Sequence, residues 1–243
     1  MLTALRPVLA AGKPVMLCAK GIETGTGKLL TEMLSELAPD VEPAILSGPS
    51  FARDVAQGLP TAVAIAARGP IGAQLQATLG VSPGFRPYVT EDLTGVALGG
   101  AAKNVYAIAC GMVQGEGLGE SARASLLARG MAELLRLGTA LGARPETLMG
   151  LSGLGDLVLT ATSMTSRNFA LGVALGKGAS LAEVTGPGKP LAEGAATAPA
   201  LVMRGHRHHI DLPIAQAVAE VLAGKLNVKQ AAERLLARPM GPE

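Results

Sequence analysis

The 243-residue chain has no tryptophan, two tyrosines, three phenylalanines and two cysteines. Each scarcity excludes something. So few aromatics leave no stacking platform for single-stranded nucleic acid. Cys18 and Cys110 lie far apart in apolar runs, which argues against a disulfide framework and for buried thiols in a reduced, cytoplasmic protein. Excess charge of one sign is also missing. Lys and Arg number 21 against 19 Asp and Glu, a formal net charge of +2, so no basic surface for a polyanion is expected. No uninterrupted apolar run reaches the ~18–20 residues of a spanning helix, so membrane insertion is not expected. The opening MLTALRPVLAAGKPVMLCAKG resembles a signal peptide superficially, but Pro7, Lys13 and Pro14 interrupt it. It reads better as a short helix, a turn and a strand.

Alanine, leucine and glycine are abundant instead, and the length allows one large or two modest domains. Apolar runs of strand length fall at Val15–Ala19, Ala44–Leu46, Thr61–Ala67 and Phe85–Val89. Between them, helical patterns fall at Leu2–Ala10, Leu29–Leu37, Ala52–Gln57 and 71–79. This alternation predicts an α/β arrangement with a parallel sheet. After Glu91 only Ala/Leu-rich helical patterns remain. On Ser121–Leu141 the residues Leu127, Met131, Leu134, Leu135 and Gly138 form an apolar stripe, with Arg123, Arg129, Glu133 and Arg136 mostly off it. Asp211 is expected to cap a helix opened by Pro213, and Asn227 another running to Leu236. The expected boundary therefore separates residues 1–92, α/β, from 93–243, all-helical.

Several short motifs fail on inspection. GTGK at 25–28 is no Walker A loop, because Ile22 stands where its first glycine belongs and Leu29 where Ser or Thr should bind magnesium. His206, His208 and His209 cluster without a carboxylate or thiol at ligand spacing, which predicts a solvated helix end and no metal. Neither G-x-S-x-G nor G-x-G-x-x-G occurs, and Gly115-Glu-Gly117-Leu-Gly119 lies among helices.

What survives is a set of polar residues at strand ends and helix starts. Lys20 directly follows a strand, and Gly48-Pro49-Ser50 follows the next, where open α/β sheets line their ligand crevice. Lys103 stands in the apolar helical stretch Val96–Val113, either snorkelling to the surface or buried for a purpose. Asp156 is alone among apolar residues between Glu146 and Arg167, a helix cap or a functional carboxylate. Ser166-Arg167-Asn168 opens a helix, suited to phosphate or simply an N-cap with a solvent-facing arginine.

Taken in order, AKGIE (19–23), SGPSFA (47–52), GLPTAV (58–63), GGAAKNVYAIACGM (99–112), LLARGMAELLRLG (126–138), GLSGLGDLVLTATS (150–163), SRN (166–168) and AEGAAT (192–197) resemble one family across essentially the whole chain. That family is the bacterial-type NAD(P)-dependent sn-glycerol-3-phosphate dehydrogenases. The resemblance implies a Rossmann-type doubly wound sheet followed by an all-helical substrate domain of the 6-phosphogluconate-dehydrogenase kind. It implies NAD or NADP as cofactor, dihydroxyacetone phosphate and sn-glycerol 3-phosphate as substrate pair, a role in glycerophospholipid synthesis, and a homodimer. Lys103 matches the catalytic lysine. Lys20, Gly48, Ser50, Asp156, Ser166, Arg167 and Asn168 match the substrate-binding set, which Lys103 joins. Lys20, Ala52, Arg167, Leu191 and Glu193 match cofactor contacts. An acid–base lysine wants its pKa lowered from ~10.4, and burial with the like charge of Lys20 would do that.

The family's opening strand, glycine-rich turn and helix have no counterpart here. The expectation is half of a cofactor domain with an uncovered sheet edge and weak NAD(P)H binding. Two other readings stay open: a related two-domain phosphosugar or hydroxyacid dehydrogenase, which SRN and SGPSFA disfavour, and a non-catalytic remnant acting as a binding or dimerisation module.

Overall fold

A computed structural model describes residues 6–9, 11–185 and 191–240. The α/β part holds a four-stranded sheet, β1 (Pro14–Leu17), β2 (Glu42–Ser47), β3 (Thr61–Ala67) and β4 (Phe85–Thr90), in that spatial order. The connecting helices are α1 (Leu30–Leu37), α2 (Ala52–Ala56) and α3 (Ile71–Leu79). Of the expected helix at Leu2–Ala10, only a single 3₁₀ turn at Arg6–Val8 is described; residues 1–5 and 10 lie outside the described set.

The sheet is mixed, which corrects the expectation of parallel strands. β1 runs parallel to β2 and β3 to β4, but β2 and β3 are antiparallel, with Ile45 opposite Ala66. Connection length explains the difference. α1 and α3, of eight and nine residues, carry the chain ~12–14 Å back along the sheet, and the segments flanking them complete the return. The five-residue α2 spans only ~7 Å against the ~20 Å of a six-residue strand, so the chain turns and returns antiparallel. Gly48 makes that departure possible. Its φ is +150°, and a Cβ there would sit 2.8 Å from Val63 Cα on the neighbouring strand.

From Leu93 on, the described chain is helical: α4 (Leu93–Glu116), α5 (Glu120–Ala140), α6 (Pro145–Leu148), a π turn at Leu151–Gly155, α7 (Asp156–Ala161), α8 (Arg167–Gly176), α9 (Leu181–Thr185), α10 (Glu193–Arg207), α11 (Pro213–Leu222) and α12 (Val228–Leu236). The 24-residue α4 is apolar and long enough to cross a membrane, yet it is buried within the protein from Gly95 to Val113 and acts as the core helix. Asp92 caps it by accepting the Gly95 N–H at 2.7 Å. α8 packs so closely that Gly111 of α4 meets the backbone of Phe169, and Gly172 of α8 meets that of Ile108; neither position has room for a methyl group.

Three sequence expectations are corrected here. Cys110 is buried and its thiol is pushed up to about 12 by burial, but Cys18 is exposed at the end of β1. Glu133 is not on the wet face of α5; it is 1% exposed. Its carboxylate accepts the N–H groups of Ile214 (2.6 Å) and Ala215 (3.3 Å), and the Tyr106 hydroxyl donates to it at 3.3 Å. Glu133 thus performs from another helix the capping of α11 expected of Asp211, which pairs with Arg238 at the surface instead. Burial pushes the Glu133 carboxyl up to about 7, against the opposing pull of those backbone N–H groups. Asn227 does cap α12, in a capping box with Gln230.

Candidate active site

The site forms where the carboxyl ends of β1 and β2 meet the first half of α4. Small residues permit the meeting. A Cβ at Gly100 would sit 2.6 Å from Ser47 Oγ and 3.5 Å from Lys20 Cγ, and one at Gly99 2.8 Å from the Ser152 carbonyl oxygen. The π turn at Leu151–Gly155 thereby rests on α4, and Pro49 of the β2 turn comes against Gly155. That turn delivers Asp156, the first residue of α7, into the interior.

Asp156 is 1% exposed and holds two ammonium groups at once. Lys103 Nζ donates to its Oδ1 at 2.7 Å, and Lys20 Nζ to its Oδ2 at 2.7 Å. Lys103 also donates to Thr160 Oγ1 at 2.9 Å. Lys103 is therefore buried, not snorkelling, and Asp156 is an ion-pair centre more than a helix cap. Burial lowers the Lys103 pKa to about 8; Asp156 resists the shift and the like charge of Lys20 adds to it.

A second set of bonds fixes the residue beside Lys103. Asn104 donates to Glu193 at 3.3 Å, Asn168 donates to Asn104 at 2.9 Å, and the Gly194 N–H donates to Asn168 at 2.9 Å. This chain ties α4, α8 and the start of α10 together. Asn168 is thereby occupied as a strap, and Ser166 caps α8 by accepting the Phe169 N–H at 3.2 Å. Ser50 donates to the Gly48 carbonyl at 3.0 Å.

Of the residues singled out in the sequence, Lys20, Lys103 and Asp156 are in direct contact, and Asn168 and Glu193 join through Asn104. Gly48 and Ser50 flank the cluster through Pro49. Ala52, Arg167 and Leu191 stand exposed, and the hydrogen bonds of the cluster do not reach them. Thr160 and Asn104 were missed. Thr160 lies one helical turn after Asp156, a spacing that could have found it. Among the described residues no His, Cys, Asp and Glu group is arranged to hold a metal, and His206, His208 and His209 are exposed at the end of α10. An apolar hollow between α4, α11 and α12, lined by Met112, Leu118, Ile214 and Leu235 among others, lies at the far end of α4 from Lys103 and offers no polar group.

The family models for the NAD-dependent glycerol-3-phosphate dehydrogenase N-terminus and C-terminus match residues 1–70 and 92–233. The chain belongs to this family. A glycerol-3-phosphate dehydrogenase [NAD(P)+] of Parvibaculum lavamentivorans is 54% identical over all of this chain, which spans 73% of that relative. One from a Bradyrhizobium strain is 56% identical over 98% of the chain and 71% of the relative. The crystal structure of glycerol-3-phosphate dehydrogenase from Coxiella burnetii, 37% identical, superposes with a TM-score of 0.92 over 98% of this chain and 73% of that one. A Dunaliella salina enzyme structure at 19% identity has a TM-score of 0.86 and speaks for the fold alone. The mixed sheet followed by helices is thus the Rossmann-plus-helical plan of the family.

Proposed function

We propose that the chain catalyses reversible hydride transfer between NAD(P)H and dihydroxyacetone phosphate, giving sn-glycerol 3-phosphate. The observation that carries this reading is a buried lysine, Lys103, with its pKa lowered to about 8 and shared with Lys20 across one carboxylate.

The residues present suit a nicotinamide dinucleotide. Lys20 and the exposed guanidinium of Arg167, unpaired among the described residues, offer cations to phosphate, and Leu191, 71% exposed, offers an apolar surface. The family's cofactor supplies the hydride when bound. The chain's own groups do the rest. As the ketone carbon is reduced, negative charge grows on its oxygen, and the Lys103 ammonium stabilises that charge and donates the proton. In the reverse direction neutral Lys103 removes it. Asp156 and Thr160 fix the direction of the Lys103 amine, and two ammonium groups on one carboxylate keep the site positive for a phosphate-bearing substrate. Arg167 and the start of α8 take the phosphate; Gly48 and Ser50 line the near side. In this reading residues 1–92 serve the cofactor and 93–243 the substrate, in a cytoplasmic homodimer.

The test is dihydroxyacetone phosphate-dependent oxidation of NADH or NADPH by the purified chain, with sn-glycerol 3-phosphate identified as product. Oxidation matched by product supports the proposal. Cofactor oxidation with no such product, or none at saturating substrate and cofactor, counts against it.

A further inference from the structure

Lys20 reaches Asp156 from the α/β side, on the segment between β1 and α1, and that segment is gripped from the helical side. Residues 21–29 form a compact hairpin. Ile22 bridges Leu29, the Glu23 N–H donates to the Lys28 carbonyl at 2.9 Å, and the Gly27 N–H donates to Glu23 at 2.8 Å. One face of α10 lies along it. A Cβ on Gly21 would sit 3.7 Å from Thr197 Oγ1, and one on Gly27 3.1 Å from Met203 Cε. Arg204 closes the contact. Its Nη1 donates to the Gly27 carbonyl at 2.7 Å and to Glu32 Oε2 at 2.8 Å, and its Nη2 to Glu32 Oε1 at 2.6 Å. Arg207 donates to the Thr26 carbonyl beside it. Glu32 in turn accepts the Leu29 N–H at 2.7 Å at the start of α1.

Arg204 is 8% exposed, and its Nε has no partner among the described residues. A guanidinium buried at that cost is held in one place by its fork on Glu32. Because the hairpin is internally bonded, fixing its tip at Gly27 fixes its base at Gly21, next to Lys20. We infer that Arg204 and Glu32 form a clasp that positions Lys20 on Asp156, and so act on the site without touching substrate. This rests on the functional reading for its consequence in catalysis, but the clasp itself can be read without turnover.

The experiment is trace amine acetylation of the full chain near neutral pH, quantified lysine by lysine by peptide mass spectrometry, for the parent, Arg204→Lys and Glu32→Gln. Lysine at 204 keeps charge but loses the bidentate fork. The expected result in both variants is a several-fold rise in labelling at Lys20, with Lys103 still protected by Asp156 and Thr160 and exposed Lys177 and Lys225 unchanged. Unchanged Lys20 labelling in both variants overturns the inference. So does a parallel rise at Lys20 and Lys103, which would mean that the clasp only holds the fold together. A chain that fails to turn over its substrate while showing the selective Lys20 response would sink the functional reading and leave the clasp standing.

Discussion

The helical region and the α/β region are built to different densities. α4 is buried from Gly95 to Val113, and one continuous apolar core surrounds it, taking in Leu134, Leu157, Phe169 and Leu201. Under α1 and β1 the separate core shrinks to Leu34, Ala38 and Val41, with Leu9, Val15 and Leu17 partly buried against it. The candidate site straddles this divide. Lys103 and Asp156 come from the helical side, whereas Lys20, Gly48 and Ser50 come from the α/β side, where Ile22 and Ile45 join the larger core. The proposed proton donor and its carboxylate thus sit against the most densely packed helix, while β1 and α1 lie where local opening costs less.

The largest expected effect is on the dense side. Lys103→Ala should lower turnover by ~10²–10⁴-fold, the usual weight of a general acid, at a temperature where circular dichroism shows the variant folded. Turnover within tenfold of the parent would remove Lys103 from the chemistry. Native-state hydrogen exchange tests the density contrast itself. Amides of α4 should exchange only through global unfolding, with β1 and α1 opening at free energies roughly a few kcal/mol lower. Equal protection in α4 and β1 would erase the contrast.

The two regions should also respond oppositely to pH. Glu133, in the dense region, has a folded pKa raised from 4.5 to about 7, so the native state holds its proton more tightly than the unfolded chain. Its contribution to stability is therefore full below pH 4.5 and declines as pH rises through about 7. Relative to Glu133→Gln, the parent should lose on the order of 3 kcal/mol across that window in urea titrations. A constant difference would contradict the buried titration. Glu32, in the lighter region, is the reverse case. Burial raises its pKa, but the Arg204 hydrogen bonds and the Leu29 N–H outweigh burial and hold the carboxyl below its usual value. Its contribution is present above 4.5 and lost as pH falls. With the side chain 39% exposed, Glu32→Gln should cost under ~1 kcal/mol at neutral pH, the smallest effect here, measured by thermal unfolding.

Local features were readable in the sequence. β3 at Thr61–Ala67 and α3 at Ile71–Leu79 fall where the periodicity placed them, and Asn227 caps α12 as its position suggested. These depend on neighbours within a few residues. Strand direction was not readable, because the β2–β3 reversal depends on how far α2 can carry the chain. Glu133 looked like a solvent-facing helix residue because the helix that buries and uses it, α11, arrives some eighty positions later in the chain. For the site, Asp156 and Lys103 were visible as charges with no local excuse in apolar runs. Their pairing was not, since contacts between residues 20, 103 and 156 are set only when the sheet edge, α4 and the π turn come together. Family resemblance supplied that grouping in advance; spacing alone did not.

Burial lowers the pKa of Lys103, the proposed proton donor on its buried carboxylate, to about 8. The most direct measurement is the pH dependence of kcat/KM for dihydroxyacetone phosphate reduction, which reports groups in the free enzyme. The expected profile is a plateau below pH 8 and a roughly tenfold fall per unit above it, as the Lys103 ammonium loses its proton. A rate that stays level to pH 10 would contradict it.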